Sequence, residues 1–164
     1  MEIHREPGPP HSHLVVAAGR RLAVLEVHAD RGEGEIRRVG APGWRLERPP
    51  GALEWWISDD DGRPVGTLTR EGLFAERFLV ELEPDAFEAR RRGTFWRRRW
   101  RVVDRVAGRT VVEVVQRFWS RPVHEVRRRS GDVPEALPWA IAWLVAWTTT
   151  DPVATTRRPR WTVR

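Results

Sequence analysis

The chain reads as a mainly β protein, an antiparallel closed β-barrel built around one hydrophobic C-terminal α-helix. Three observations predict this. The run Leu137–Trp147 (LPWAIAWLVAW) carries no charge and is apolar on every helical face. Upstream of it, turn signals divide the chain into short runs at the close spacing of antiparallel barrels and sandwiches. Within those runs apolar and charged residues alternate with a period of two. A helix that is apolar all round has to be enclosed, and the rest of the chain offers sheet to enclose it.

Composition sets the outer bounds. The chain has 164 residues, enough for one domain with a real core. It is 40% hydrophobic and 32% charged, which argues against bulk disorder. All 29 basic residues are Arg, and Lys, Tyr, Asn and Cys are absent. GC-rich codon usage accounts for all of these absences except Cys, so the Arg preference carries no chemistry by itself. The net charge of +6 and pI of about 11.3 favour anionic partners such as nucleic acid, anionic phospholipid headgroups or acidic proteins, and select none of them. Solvated surface without a partner is an equal reading. The lack of Cys excludes disulfides, thiolate metal sites and Cys nucleophiles. The only apolar run near the N-terminus, Leu14 to Ala18, is too short for a signal peptide, and Leu137–Trp147 is too short to span a bilayer. The expected location is cytoplasmic, with peripheral association at the inner membrane surface as an option.

The elements follow in chain order. Residues 1–12, rich in Pro and polar groups, are expected to be a disordered lead-in, residues 13–150 the barrel domain, and residues 151–164 a basic tail. At least ten strands are expected, with candidates at Arg21–Ala29, Glu35–Val39, Trp44–Arg48, Leu53–Ser58, Pro64–Arg70, Glu76–Leu82, Phe87–Arg92, Phe95–Val103, Thr110–Phe118 and Val123–Arg129. Phe78, Val80 and Leu82 share one face of their strand, opposite Arg77 and Glu81. Trp96, Trp100 and Val102 likewise oppose Arg97, Arg99 and Arg101. Two hairpins resemble each other, Trp55–Val65 and Trp100–Val111. Each has an aromatic strand, an Asp, a Gly-Arg turn and a β-branched return, with Gly62 and Gly108 lying 46 residues apart.

The helix is expected over 135–149. Asp132 and Glu135 form a capping-box pattern, Pro134 and Pro138 fall where missing N–H groups are tolerated, and Thr148 to Pro152 ends it. Trp139, Trp143 and Trp147 form one stripe, and with Ile141, Leu144 and Val145 they make up the core of the helix.

The two strand–Asp–Gly–strand hairpins, Trp56 to Arg70 and Trp100 to Arg117, together with Phe118–Val123 and the helix Leu137–Thr149, resemble the tubby C-terminal-like superfamily, which includes the LURP-one-related proteins and the phospholipid scramblases. The resemblance covers roughly residues 40–150. It implies a barrel of about twelve strands around a central helix and, in some members, phosphoinositide or membrane association. The scramblases' acidic calcium segment is matched here only by Ser130–Glu135, whose two carboxylates are too few for a calcium cage.

No reaction is legible. Asp59-Asp60-Asp61-Gly62 lacks the spaced ligands of a calcium loop and reads as a hairpin turn. His4, His11 and His13 lie in the expected lead-in or at its edge without a carboxylate cluster, His28 suggests no site, and His124 reads as partly exposed. Nucleophile elbows, phosphate loops and HExxH are missing. Neither a metal nor another cofactor is expected, and the chain reads as non-catalytic. The Arg-rich strands carry the functional expectation. Arg90, Arg92, Arg97, Arg99 and Arg101, joined by Arg127 and Arg129, line a common outer face suited to phosphate oxygens. Arg98, between Trp96 and Trp100 on the apolar face, is placed at a barrel mouth. In the tail, Arg157, Arg158, Arg160 and Trp161 are the candidate membrane-interface residues. The leading expectation is an anionic ligand such as a phospholipid headgroup. Nucleic acid on the same Arg face, and a scaffold with no anionic ligand, are the alternatives.

Overall fold

A computed structural model describes residues 1–5, 11–28, 30–71, 77–92, 99–117 and 123–150. Twelve strands follow one another in a closed meander: β1 (Glu2–Arg5), β2 (His11–Ala17), β3 (Arg20–His28), β4 (Glu33–Arg38), β5 (Trp44–Glu47), β6 (Glu54–Asp59), β7 (Pro64–Arg70), β8 (Arg77–Leu82), β9 (Asp85–Arg92), β10 (Arg99–Asp104), β11 (Thr110–Arg117) and β12 (Val123–Arg128). Each pairs antiparallel with its sequence neighbours. An even strand number lets the closing pair be antiparallel too, and β1 meets β12 with Glu2 opposite Glu125 and Ile3 opposite His124. The Met1 amino group donates to the Val126 carbonyl at 3.0 Å and extends this seam. No sheet edge remains open.

Two strands depart from the sequence expectation. Residues 2–5, expected to be part of a disordered lead-in, form β1, and the barrel closes only through them. The strand β2 begins at His11 and was not among the ten expected. Both are short or flanked by Pro and Gly, so their local pattern is weak. β2 pairs with β1 and β3, its neighbours in the chain, and β1 alone gains a partner distant in sequence, β12.

The helix α1 (Ala136–Thr150) runs through the lumen, and twelve of its fifteen residues are buried. Eight strands make a barrel that side chains alone can fill, whereas twelve leave a wider lumen, and a helix of about 10–12 Å diameter fills it. Inward side chains such as Leu25, Ile36, Leu46, Ile57, Leu68, Val80, Val102 and Val114 meet Ile141, Trp143, Leu144 and Val145 in one core. Trp143 and Trp147 are all but inaccessible and Trp139 is partly buried. Burying each indole contributes at most about 4–6 kcal/mol at ~25 cal/mol per Å². The Trp143 indole N–H donates to the Glu26 carbonyl at 3.1 Å. The helix approaches there because Gly34 on β4 has no side chain, and a Cβ at that position would collide with the Trp143 indole nitrogen.

The start of α1 differs from the expected capping box. The helix begins at Ala136, four residues beyond Asp132. Glu135 turns its carboxylate to Arg38 rather than back to a helix N–H. Arg128 fixes the incoming loop instead, donating to the Gly131 carbonyl at 3.1 Å and the Val133 carbonyl at 2.8 Å. At the other end, the Thr148 and Thr149 hydroxyls donate back to the Val145 carbonyl at 3.0 Å each, so these side chains find acceptors within the last turns of the helix itself.

An arginine stacked on tryptophan closes each end of the barrel. At the end where α1 starts, the Arg38 guanidinium lies 4.6 Å from the Trp44 ring centroid and 5.9 Å from that of Trp139. At the end where α1 stops, Arg48 lies 5.0 Å from the Trp55 ring, wedged against Gly32. Both use the ring quadrupole to hold a cation over an apolar core.

The hairpin resemblance extends to a third copy. In β2–β3, β6–β7 and β10–β11 the register shifts at the same place, after Val15, Ile57 and Val102. A glycine with positive φ follows in each turn (Gly19, Gly62, Gly108), and an exposed arginine follows it (Arg20, Arg63, Arg109). The extra residue at each bulge, Leu22, Val65 or Val111, packs on the core. Asp59 and Asp104 fix their turns alike. Asp59 Oδ1 accepts from the Asp61 and Arg63 N–H groups, and Asp104 Oδ1 from those of Val106 and Ala107. The bulged hairpins thus recur every fourth strand round the barrel.

Candidate anion-binding face

The pairing of β8 to β12 determines which arginines meet. Arg77, Arg90, Arg101, Glu113 and Arg127 lie opposite one another in a single row across five strands. One step along, Arg92 lies opposite Arg99. Alternation sends these residues outward, while Phe87, Ala89, Trp100, Val102, Val112 and Val114 fill the lumen side. Cross-strand Arg–Arg neighbours repel, so the row needs carboxylates to hold it.

Three carboxylates do so. Glu88 is 8% exposed and accepts from Arg77 at 2.9 Å and from Arg90. Glu113 is 4% exposed and pairs with Arg99 and Arg129, each at 2.6 Å. Burial pushes the Glu113 carboxyl up, but the hydrogen bond from Arg129 and the charge of Arg99 outweigh it and hold the group below the ordinary carboxylate range. Glu125 takes Arg127 at 2.9 Å, which raises the arginine's affinity for its proton. The long arginine stems cover Glu88 and Glu113, so these carboxylates are buried on the outer face of the sheet.

The described members of the expected anion-binding set are therefore brought together, with Glu88 and Glu113 each shared between two arginines, so the face keeps an excess of positive charge. Arg90, Arg99, Arg127 and Arg129 are carboxylate-paired. Among the described residues, Arg92 and Arg101 have no carboxylate within ion-pair distance, and both are exposed. Arg97 and Arg98 lie outside the described residues, as do Arg157, Arg158, Arg160 and Trp161. The buried partners Glu88 and Glu113 were missed because a lone Glu on an alternating strand reads as solvated. The available signal was the excess of Arg on the neighbouring strands.

Other candidates have structural roles. Asp60 accepts from the Gly43 N–H at 2.7 Å, and with Asp59 it belongs to turn bonding rather than to an open ligand cluster. His124 is buried, not partly exposed as expected. His13 is also buried. Desolvation, followed by the nearby charge of Arg5, lowers its pKa to about 4, so it stays neutral inside the barrel. Among the described residues no group of three or more His, Asp or Glu is placed to hold a metal ion, and no helix is long and apolar enough to cross a membrane. Comparisons with protein-family models, curated proteins and solved structures give no match.

Proposed function

We propose that this chain is a non-catalytic binding protein whose β9–β10 outer face takes anionic groups, with the phospholipid headgroups of an inner membrane surface as the leading ligand. The observation that carries this reading is the placement of Arg92 and Arg101. Each is exposed, lacks a carboxylate among the described residues, and is flanked across the sheet by the paired residues Arg99 and Arg90. Guanidinium groups in this setting suit phosphate oxygens, and the exposure of both side chains makes the attraction salt-sensitive. The resemblance to the tubby C-terminal-like superfamily supports lipid over other polyanions.

Cosedimentation with vesicles tests the proposal. At low salt the protein is expected to pellet with anionic phosphatidylserine-containing vesicles and to stay in solution with neutral phosphatidylcholine. Arg92→Glu with Arg101→Glu is expected to weaken the anionic association by at least about tenfold, from ~1 kcal/mol per arginine at a membrane surface and its reversal. Equal partitioning between the two vesicle types refutes lipid binding. A mobility shift with duplex or single-stranded oligonucleotides, abolished by the same double variant, assigns the face to nucleic acid instead.

A further inference from the structure

The outer surface on the other side of β8 has the opposite character. A cleft of about 660 Å³ opens over β6 and β7, with Trp56, Val65, Gly66 and Thr67 among its lining residues and Glu47 and Glu83 on its walls. Trp55 and Trp56 are adjacent on one strand and must face opposite ways. Trp55 is fully buried, whereas Trp56 is 55% exposed. The Trp56 indole N–H donates to Glu54 at 2.8 Å, which fixes the ring in place. Around the cleft, the outward carboxylates Glu54 and Glu81 accept from Thr69 and Thr67, and among the described residues neither they nor Glu83 has an arginine within ion-pair distance. Glu47 reaches Arg45 only at 3.8 Å, with both side chains mostly exposed. In a chain with 29 arginines, this face is the one among the described residues that presents carboxylates without a close arginine beside an exposed indole.

The chain itself shows what such a set of groups holds. Arg38 stacks on Trp44 while its guanidinium pairs with Glu135. The cleft presents the indole and the carboxylates of that arrangement. We infer that the Trp56 cleft is a docking site for an arginine side chain carried on an extended segment of a partner protein. The guanidinium would stack on the Trp56 ring and its fork would meet Glu47 or Glu83. One indole face flanked by carboxylates favours a planar guanidinium over a quaternary ammonium, which needs several rings. Charge complementarity with the carboxylates sets the sign of the partner.

The test uses the full chain in low salt with a capped pentapeptide of alternating glycine and arginine, its lysine counterpart and its citrulline counterpart, measured by calorimetry. Light scattering follows the oligomeric state in parallel. The arginine peptide is expected to bind saturably, the lysine peptide more weakly, and the citrulline peptide not at all. Trp56→Ala, and Glu47→Gln with Glu83→Gln, are each expected to weaken arginine binding about three- to tenfold, the scale of an exposed cation–π contact or ion pair. These are surface substitutions, and unchanged thermal unfolding confirms that the fold is kept. No saturable binding, equal binding by the variants, or a lysine peptide that binds as well as arginine overturns the proposal. Self-association that the same variants abolish overturns the assignment to a foreign segment and places a second copy of the chain in the cleft. A monomeric wild-type chain supports the assignment.

Discussion

Replacing Gly34 by Ala tests the whole helix-in-barrel arrangement with one methyl group. The added Cβ would meet the Trp143 indole nitrogen and the Glu26 carbonyl, the two partners of the buried hydrogen bond that ties α1 to β3. Trp143 is fully buried and packs edge-on against Trp55 at 6.3 Å, with Trp147 stacked beside it, so the ring has little room to retreat. Overpacking of this kind costs roughly 1–3 kcal/mol. Losing the hydrogen bond while its carbonyl stays buried adds about 1–3 kcal/mol. The expected destabilisation is therefore about 2–6 kcal/mol, read as the shift in urea midpoint at constant slope. A background of Trp143→Leu removes the indole and with it part of the collision. In that background Gly34→Ala is expected to be milder by more than ~1 kcal/mol, the coupling typical of residues in contact. If Gly34→Ala is neutral, or its effect is the same in both backgrounds, Trp143 does not sit against β4 and the central placement of the helix is wrong.

Two further outcomes are expected. The depressed pKa of His13 makes stability pH-dependent. Above pH 6.5 the residue is neutral in both states, and as pH falls toward 4 the unfolded chain takes up a proton that the folded chain does not. The loss reaches about 3 kcal/mol below pH 4. Urea unfolding of wild type and His13→Gln at pH 7.5 and pH 4 should therefore differ in their pH response by about that amount, and parallel behaviour would contradict the burial of His13. Ala18 has a φ of 48° beside Gly19 in the β2–β3 turn, where Asn is better tolerated. Ala18→Asn is expected to raise stability by about 0.5–1 kcal/mol in the same assay, and a loss would show that the turn is not held in the left-handed region.

Much of the architecture is legible in single segments. The strands β3 to β12 carry bounding turn signals and often a period-two pattern, so over the described residues they are visible within a residue or two; the expected start of β10 at Phe95 lies outside those residues. The run Leu137–Trp147 needs enclosure wherever it is placed, so its burial is set by composition alone. Residues 2–5 show no such pattern, because a four-residue strand gains its identity from Val16 and His124 across the seam.

The candidate face divides along the same line. That Arg99 and Arg101 point outward follows from alternation. That Arg99 is balanced by Glu113 while Arg101 is not depends on which oxygens the folded barrel brings within reach. The helix cap failed for a related reason, since Glu135 had a local role available in a capping box and a distant arginine, Arg38, took it. Local chemistry determined the strands, the turns, the inward and outward faces, and the burial of the helix. The closure through β1, the threefold repeat of bulged hairpins, the balance of charge on the arginine face and the Trp56 cleft are set by tertiary structure. Closure depends on the register between β1 and β12, the first and last strands, and the rest on registers between consecutive strands, where a one-residue slip would turn every such side chain to the opposite face.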